Sequence, residues 1–272
     1  MKANIDNKYY GNHLVLQKLR FSLDKPGSIA LVGLNGSGKS TLLKVISGIC
    51  QHYEGEVDIQ TRNVASLIDG WGYFTFAKGR DMIEYLLDDE EQKEAQKYLD
   101  IFKVNSYIDE SFRKYSLGMK QRLALVVTLA RKSDLLLLDE PINGLDPEGI
   151  SEFKNIIIDL KKTKTIIIST HILTDISSYC DQVFILEDKV LKNHEFSGEG
   201  FRCSFSSEKE AERFYAEAVT FNPTLDGKSV FISITHGDFK KVISVLGAGS
   251  YDVESIDKSS NSINYNLLEK ML

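Results

Sequence analysis

The sequence predicts an α/β fold with a small α+β unit appended, on three observations. Residues 29–32 are wholly apolar and run into a loop bounded by Gly33 and Gly38, and helical apolar spacing follows at Leu42, Val45 and Ile46. Residues 135–138 are four leucines and residues 165–168 are threonine and three isoleucines. Such runs, without polar alternation, suit parallel strands covered on both faces. Beyond about Ser197 the pattern turns to short alternating runs separated by charged helical stretches, which reads as a unit of β-α-β-β-α-β character. The expected division is therefore 1–197 and 198–272.

Residues 1–28 are rich in strand formers and turns: the pair Tyr10-Gly11, a partly alternating run over 15–23, then Pro26-Gly27 before the first apolar strand. An exposed Tyr9 or Tyr10 could stack on a base, although a tyrosine in a sheet is more often structural. The loop that follows has the spacing glycine, four residues, glycine, lysine, hydroxyl residue, between a strand and a helix. This is a phosphate-binding arrangement. Its glycines let successive N–H groups of Asn35, Gly36, Ser37, Gly38, Lys39, Ser40 and Thr41 face one anion, and the helix N-terminus adds its positive end. Lys39 supplies a point charge for the β- and γ-phosphates, and the Ser40 hydroxyl can ligate Mg²⁺.

Two further strands are expected at 55–59 and 63–68, with Asp69 where the second ends and an aromatic stretch over 71–76. Residues 80–132 carry helical spacing and read as an inserted helical subdomain; its acidic run, 88–91, suits a solvated helix face or turn. Ser116 and Gly118 stand just before a strong helix over 119–130, where they can cap it or hold an anion. The leucine strand ends in Asp139 and Glu140, at the strand end where α/β folds place ligands. Beside a phosphate loop, one acid can assist Mg²⁺ and its neighbour can activate water. A turn, residues 144–147, opens a helix to about residue 160; the isoleucine strand ends in Ser169-Thr170-His171, and residues 183–186 read as a further strand.

Composition narrows the setting. The 272 residues carry a formal charge of -6, which gives no electrostatic footprint for nucleic acid. Three scattered cysteines match no metal spacing and suggest a reducing compartment. The N-terminus lacks the apolar core of a signal peptide, and no apolar run approaches the ~20 residues of a membrane helix.

The order of these motifs resembles the ATP-binding cassette family over residues 1 to about 195. The phosphate loop is GLNGSGKST, the signature segment YSLGMKQR, the acidic strand LLLLDEP, then GLDP and STH. In the signature, Leu117 stands where the family has a glycine and Met119 where it has a glutamine. The resemblance implies a P-loop NTPase core with antiparallel β and helical subdomains. It implies ATP and Mg²⁺ as ligands, Tyr10 as the adenine-stacking aromatic, Glu140 polarising water and His171 on the γ-phosphate. Asp139 would assist Mg²⁺. It further implies a head-to-tail dimer with a second copy or a homologous subunit, in which Ser116 and Gly118 of one chain close the nucleotide site of the other and Asp146 couples the two. Asp69 aligns with the family's glutamine that senses Mg²⁺ and touches the transporter partner, so an acid stands where a neutral sensor is usual. An integral-membrane permease, a separate chain, is the implied partner, at the cytoplasmic side of the membrane; the likeness is greatest to exporters of multidrug, peptide-antibiotic and bacteriocin type. The alternative, a cassette protein acting on ribosomes or DNA, usually has two cassettes or a long coiled-coil insertion, and this chain has neither.

Overall fold

The structure is a computed structural model that describes residues 1–23, 25–59, 61, 63–68, 76–171, 176–194, 200–218, 223–233 and 239–259. The chain divides into two compact units, Met1–Asn193 and His194–Leu272.

In the first unit, β1 (Lys2–Tyr10) and β2 (His13–Ser22) form an antiparallel hairpin turned at Gly11 and Asn12, and β4 (Glu54–Asp58) pairs with the other edge of β1. Alternation in β2 breaks at Lys18, whose φ is 51°, so Leu16 and Leu19 both turn to the core. A six-stranded sheet has the order β5-β6-β7-β3-β8-β9, from β3 (Gly27–Val32), β5 (Val64–Leu67), β6 (Leu135–Asp139), β7 (Thr165–Thr170), β8 (Gln182–Glu187) and β9 (Val190–His194). Strands β5, β6, β7, β3 and β8 are parallel neighbours, as the unbroken apolar runs require.

Helix α1 (Lys39–Ile46) lies between the two sheets. Its Leu42, Leu43, Val45 and Ile46 pack in one cluster with Ile5, Leu16 and Leu19 of the antiparallel layer and Leu31, Leu135, Leu137 and Ile167 of the parallel one. Burial of each such side chain contributes about 1.5–3 kcal/mol, so the helix that opens at the phosphate loop is anchored on both sides.

The helical region comprises α2 (Gly79–Leu86), α3 (Asp89–Ile101), 3₁₀ turns at Val104–Ser106 and Phe112–Lys114, and α4 (Leu117–Ala130). The acidic run at 88–91 is solvent-facing, as expected, and it also starts a helix. Asp88 accepts hydrogen bonds from the N–H groups of Glu90 and Glu91, Glu91 reaches back to the Asp88 N–H, and Lys132 pairs with Asp88. Helices α5 (Pro147–Leu160) and α6 (Ile176–Tyr179) complete the unit.

The second unit contains β10 (Gly200–Phe205), α7 (Glu208–Glu217), β11 (Pro223–Asp226), β12 (Ser229–Ser233), α8 (Phe239–Ala248) and β13 (Val253–Ser259). The sheet order β11-β12-β10-β13, antiparallel throughout, is the split βαβ arrangement, with Phe205, Phe214, Val230, Ile232 and Val242 at its core. The sequence also predicts a terminal helix from Ile263, which lies outside the described residues. Among the described residues no helix is long and apolar enough to cross a membrane.

Candidate functional site

Strand register builds the site. Because β3 sits between β7 and β8, Val32 pairs with Thr170, and because β6 flanks β7, Asp139 pairs with Ser169. The loop after β3, the acids after β6 and the histidine after β7 therefore leave the same edge of the sheet side by side, where parallel folds place ligands.

The glycine loop between β3 and α1 is closely fitted. Gly38, at the helix N-cap, has φ 109°, and a Cβ there would lie 2.8 Å from the Leu16 side chain, so neither the backbone nor the space admits another residue. Lys39 is buried, and its ammonium donates to the carbonyls of Gly33 at 2.7 Å and Leu34 at 3.1 Å. The same ammonium stands 3.6 Å from Glu140 Oε1, an oxygen that is buried and accepts no hydrogen bond from the described residues. The Ser37 hydroxyl is in the same condition.

Glu140 is held from several directions. His171 Nδ1 lies 2.9 Å from Oε2, where with the carboxyl ionised the ring N–H donates. The Glu140 N–H donates to the Ser169 carbonyl at 3.1 Å and to Ser169 Oγ at 3.0 Å, and Ser169 Oγ in turn donates to Asp139. Glu140 has φ 46°, a left-handed conformation that costs a non-glycine residue roughly 1 kcal/mol and persists where its surroundings over-determine it.

A second cluster joins the start of α4 to the loop between β6 and α5. Ser116 caps α4, accepting from the Met119 N–H at 3.2 Å. Gly118 faces Gly144 so closely that a Cβ on Gly118 would lie 2.6 Å from the Gly144 carbonyl oxygen. Asp146 caps α5 through the Gly149 N–H at 3.1 Å and pairs with Arg122 at 2.8 Å. The Gly149 N–H first, then the Arg122 guanidinium, hold its carboxyl below the usual carboxylate range. Leu117 projects from this edge, 79% exposed.

With that geometry in place, the comparisons decide the family. The family profile described as "ABC transporter" matches residues 16–143. The lantibiotic transport ATP-binding protein SrtF of Streptococcus pyogenes is 32% identical over 203 residues, covering 70% of this chain and 89% of its own. This chain belongs to the ABC transporter ATP-binding family. The bacitracin transport ATP-binding protein BcrA of Enterococcus faecalis is 30% identical over 197 residues, covering 66% of this chain and 64% of its own. A solved ATP-binding subunit of an ABC transporter superposes with a TM-score of 0.65 at 25% identity, over 71% of this chain and 89% of the other. The chain is thus a nucleotide-binding ATPase subunit of the transporter type.

The cassette brings Lys39, Glu140, His171 and Asp139 to one strand-end cluster, and gathers Ser116, Gly118 and Asp146 in the second. Tyr10, at the end of β1, is 49% exposed, and its ring carries the Lys8 ammonium 4.3 Å from the centroid; Lys8 is itself buried and donates to the His52 carbonyl. Asp69, and the aromatics Trp71 and Phe74 beside it, lie outside the described residues. Three participants were not singled out in the sequence. They are Ser169, which ties Asp139 to the Glu140 backbone; Gln121, whose amide reaches the loop after Glu140; and Arg122, which pairs with Asp146.

Proposed function

We propose that this cassette binds Mg²⁺-ATP at the glycine loop and hydrolyses it with Glu140 as the base, to drive export through a separate membrane-spanning partner. The observation that carries the reading is the convergence on one carboxylate: Lys39 Nζ at 3.6 Å from one oxygen and His171 Nδ1 at 2.9 Å from the other. In the reaction a water oxygen attacks the γ-phosphorus, the bond to the β-phosphate oxygen breaks, and the water's proton passes to Glu140. The products are ADP and phosphate. His171 orients the carboxylate from Oε2, and Oε1, which accepts no hydrogen bond from the described residues, suits one from the attacking water. Lys39, which holds two loop carbonyls here, is read as the cation that meets the β- and γ-phosphates. Ser40 and Asp139 would hold Mg²⁺, which neutralises phosphate charge. One hydroxyl and one carboxylate suit an ion that takes most of its ligands from phosphates and water.

Tyr10, half-exposed at the end of β1, is read as the adenine platform. Ser116, Gly118 and Asp146 are read as the face that meets the nucleotide of a second copy or a homologous subunit, which the exposed Leu117 beside them supports. Asp69 is read as a charge near Mg²⁺ and the membrane partner. The lantibiotic and bacitracin transport relatives support a peptide antibiotic as the substrate, and it is read as moved outward with this chain at the cytoplasmic face of the membrane. The test of the site is Lys39→Ala, which is expected to abolish Mg²⁺-ATP binding by equilibrium dialysis; unchanged affinity would remove the glycine loop from the account.

A further inference from the structure

We propose that Gln121 is a positioning residue for Glu140: its side-chain amide locks the backbone of the loop that aims the carboxylate, so that α4 controls the hydrolytic step from within the same chain. The inference rests on the reading of Glu140 as the base.

Gly118, Gln121 and Arg122 stand at i, i+3 and i+4 on α4, so they share one helical face. Each meets the segment 140–146. Gly118 abuts Gly144, Gln121 Nε2 donates to the Pro141 carbonyl at 3.2 Å with the Glu140 carbonyl at 3.5 Å, and Arg122 pairs with Asp146. Gln121 is the member of this face that reaches Glu140 itself. A carboxamide NH₂ offers two donors, which is what two successive carbonyls need.

The consequence follows from the backbone of Glu140. Its φ of 46° is unfavourable, and two ties keep it from relaxing. Ser169 holds the peptide before it through the Glu140 N–H, and Gln121 holds the carbonyls after it. Without the second tie, the residue can rotate toward an ordinary φ. That moves both carboxylate oxygens relative to Lys39 and His171. Displacement of a reacting group by about 1 Å can cost on the order of a hundredfold in rate. Nucleotide affinity, which depends on the loop after β3, is left alone.

The experiment measures ATP hydrolysis and Mg²⁺-ATP affinity of the full chain for Gln121→Glu, Gln121→Lys and Glu140→Gln. Gln121→Glu keeps size and shape but sets acceptors against two carbonyls. It is expected to lower kcat roughly tenfold or more, with KM and affinity within about twofold. Gln121→Lys retains N–H donors and the reach, and is expected to recover most of kcat. A kcat unchanged in Gln121→Glu overturns the proposal, and so does a fall in kcat accompanied by an equal loss of affinity and of melting temperature, because that marks a merely structural side chain. Failure of Gln121→Lys to exceed Gln121→Glu also counts against it. Glu140→Gln separates the two levels: if that variant still turns over, the reading of Glu140 as base fails, whereas if it is inactive while Gln121→Glu is normal, only the positioning role fails.

Discussion

Gly118→Ala tests whether the start of α4 is docked on the loop before α5 in the nucleotide-free chain. The added Cβ would lie 2.6 Å from the Gly144 carbonyl oxygen, about 0.8 Å short of ordinary contact near 3.4 Å. That oxygen belongs to backbone, and Gly144 is in a left-handed conformation with φ 79°, so the loop cannot yield by a side-chain rotation. Overpacking of this kind costs typically 1–3 kcal/mol. The gain from alanine's helix propensity, at most ~1 kcal/mol inside a helix, is smaller at a first-turn position. A net loss of about 1–2 kcal/mol is expected, which corresponds to a fall of roughly half a molar in the urea midpoint for m near 2–3 kcal/mol/M. The assay is urea denaturation without nucleotide. If Gly118 matters only because it meets a partner's phosphate, the nucleotide-free midpoint will not move, and the intrachain docking argument is then refuted.

Two further outcomes are expected. Burial alone would raise the Asp181 carboxyl, but the Lys161 ammonium and the Ser28 N–H and hydroxyl outweigh it and hold it low. A depressed folded-state value means the unfolded chain binds the proton first, so this contribution is present above the usual carboxylate range and is lost as pH falls through the folded value. Urea midpoints should decline as pH falls through and below the usual carboxylate range, and Asp181→Asn should lower the neutral-pH midpoint and shallow that decline; an unaltered pH profile would contradict the assignment. Separately, a chain ended after Asn193 retains every described residue assigned to the nucleotide and should bind Mg²⁺-ATP with the affinity of the whole chain. A folded truncation that had lost binding would tie the second unit to the site.

The parts of the site that were legible in the sequence are those carried by local pattern. The glycine loop reads from its spacing, and Glu140 and His171 read from their places after runs of leucine and isoleucine. The docked face of α4 was not legible, because the contacts of Gly118, Gln121 and Arg122 depend on how a helix sits against a loop some twenty residues away. Ser169 was hidden for a related reason. It is an ordinary strand residue until the β6–β7 register places it opposite Asp139. The start of α3 could have been read: Asp88 with Glu91 three residues on is the spacing of a reciprocal cap, and the density of charge masked it. Strand β11 begins at Pro223 on the edge of its sheet, where proline is tolerated but propensity is weak.

The central claim, that Glu140 is the base of an ATPase site completed by Lys39 and His171, is tested most directly by phosphate release from Glu140→Gln at saturating Mg²⁺-ATP, with bound nucleotide measured on the same samples. The variant keeps the shape of the side chain and removes its capacity to take a proton. Nucleotide occupancy should equal that of the wild type, with turnover lowered by roughly a hundredfold or more. Full occupancy with turnover close to wild type would contradict it.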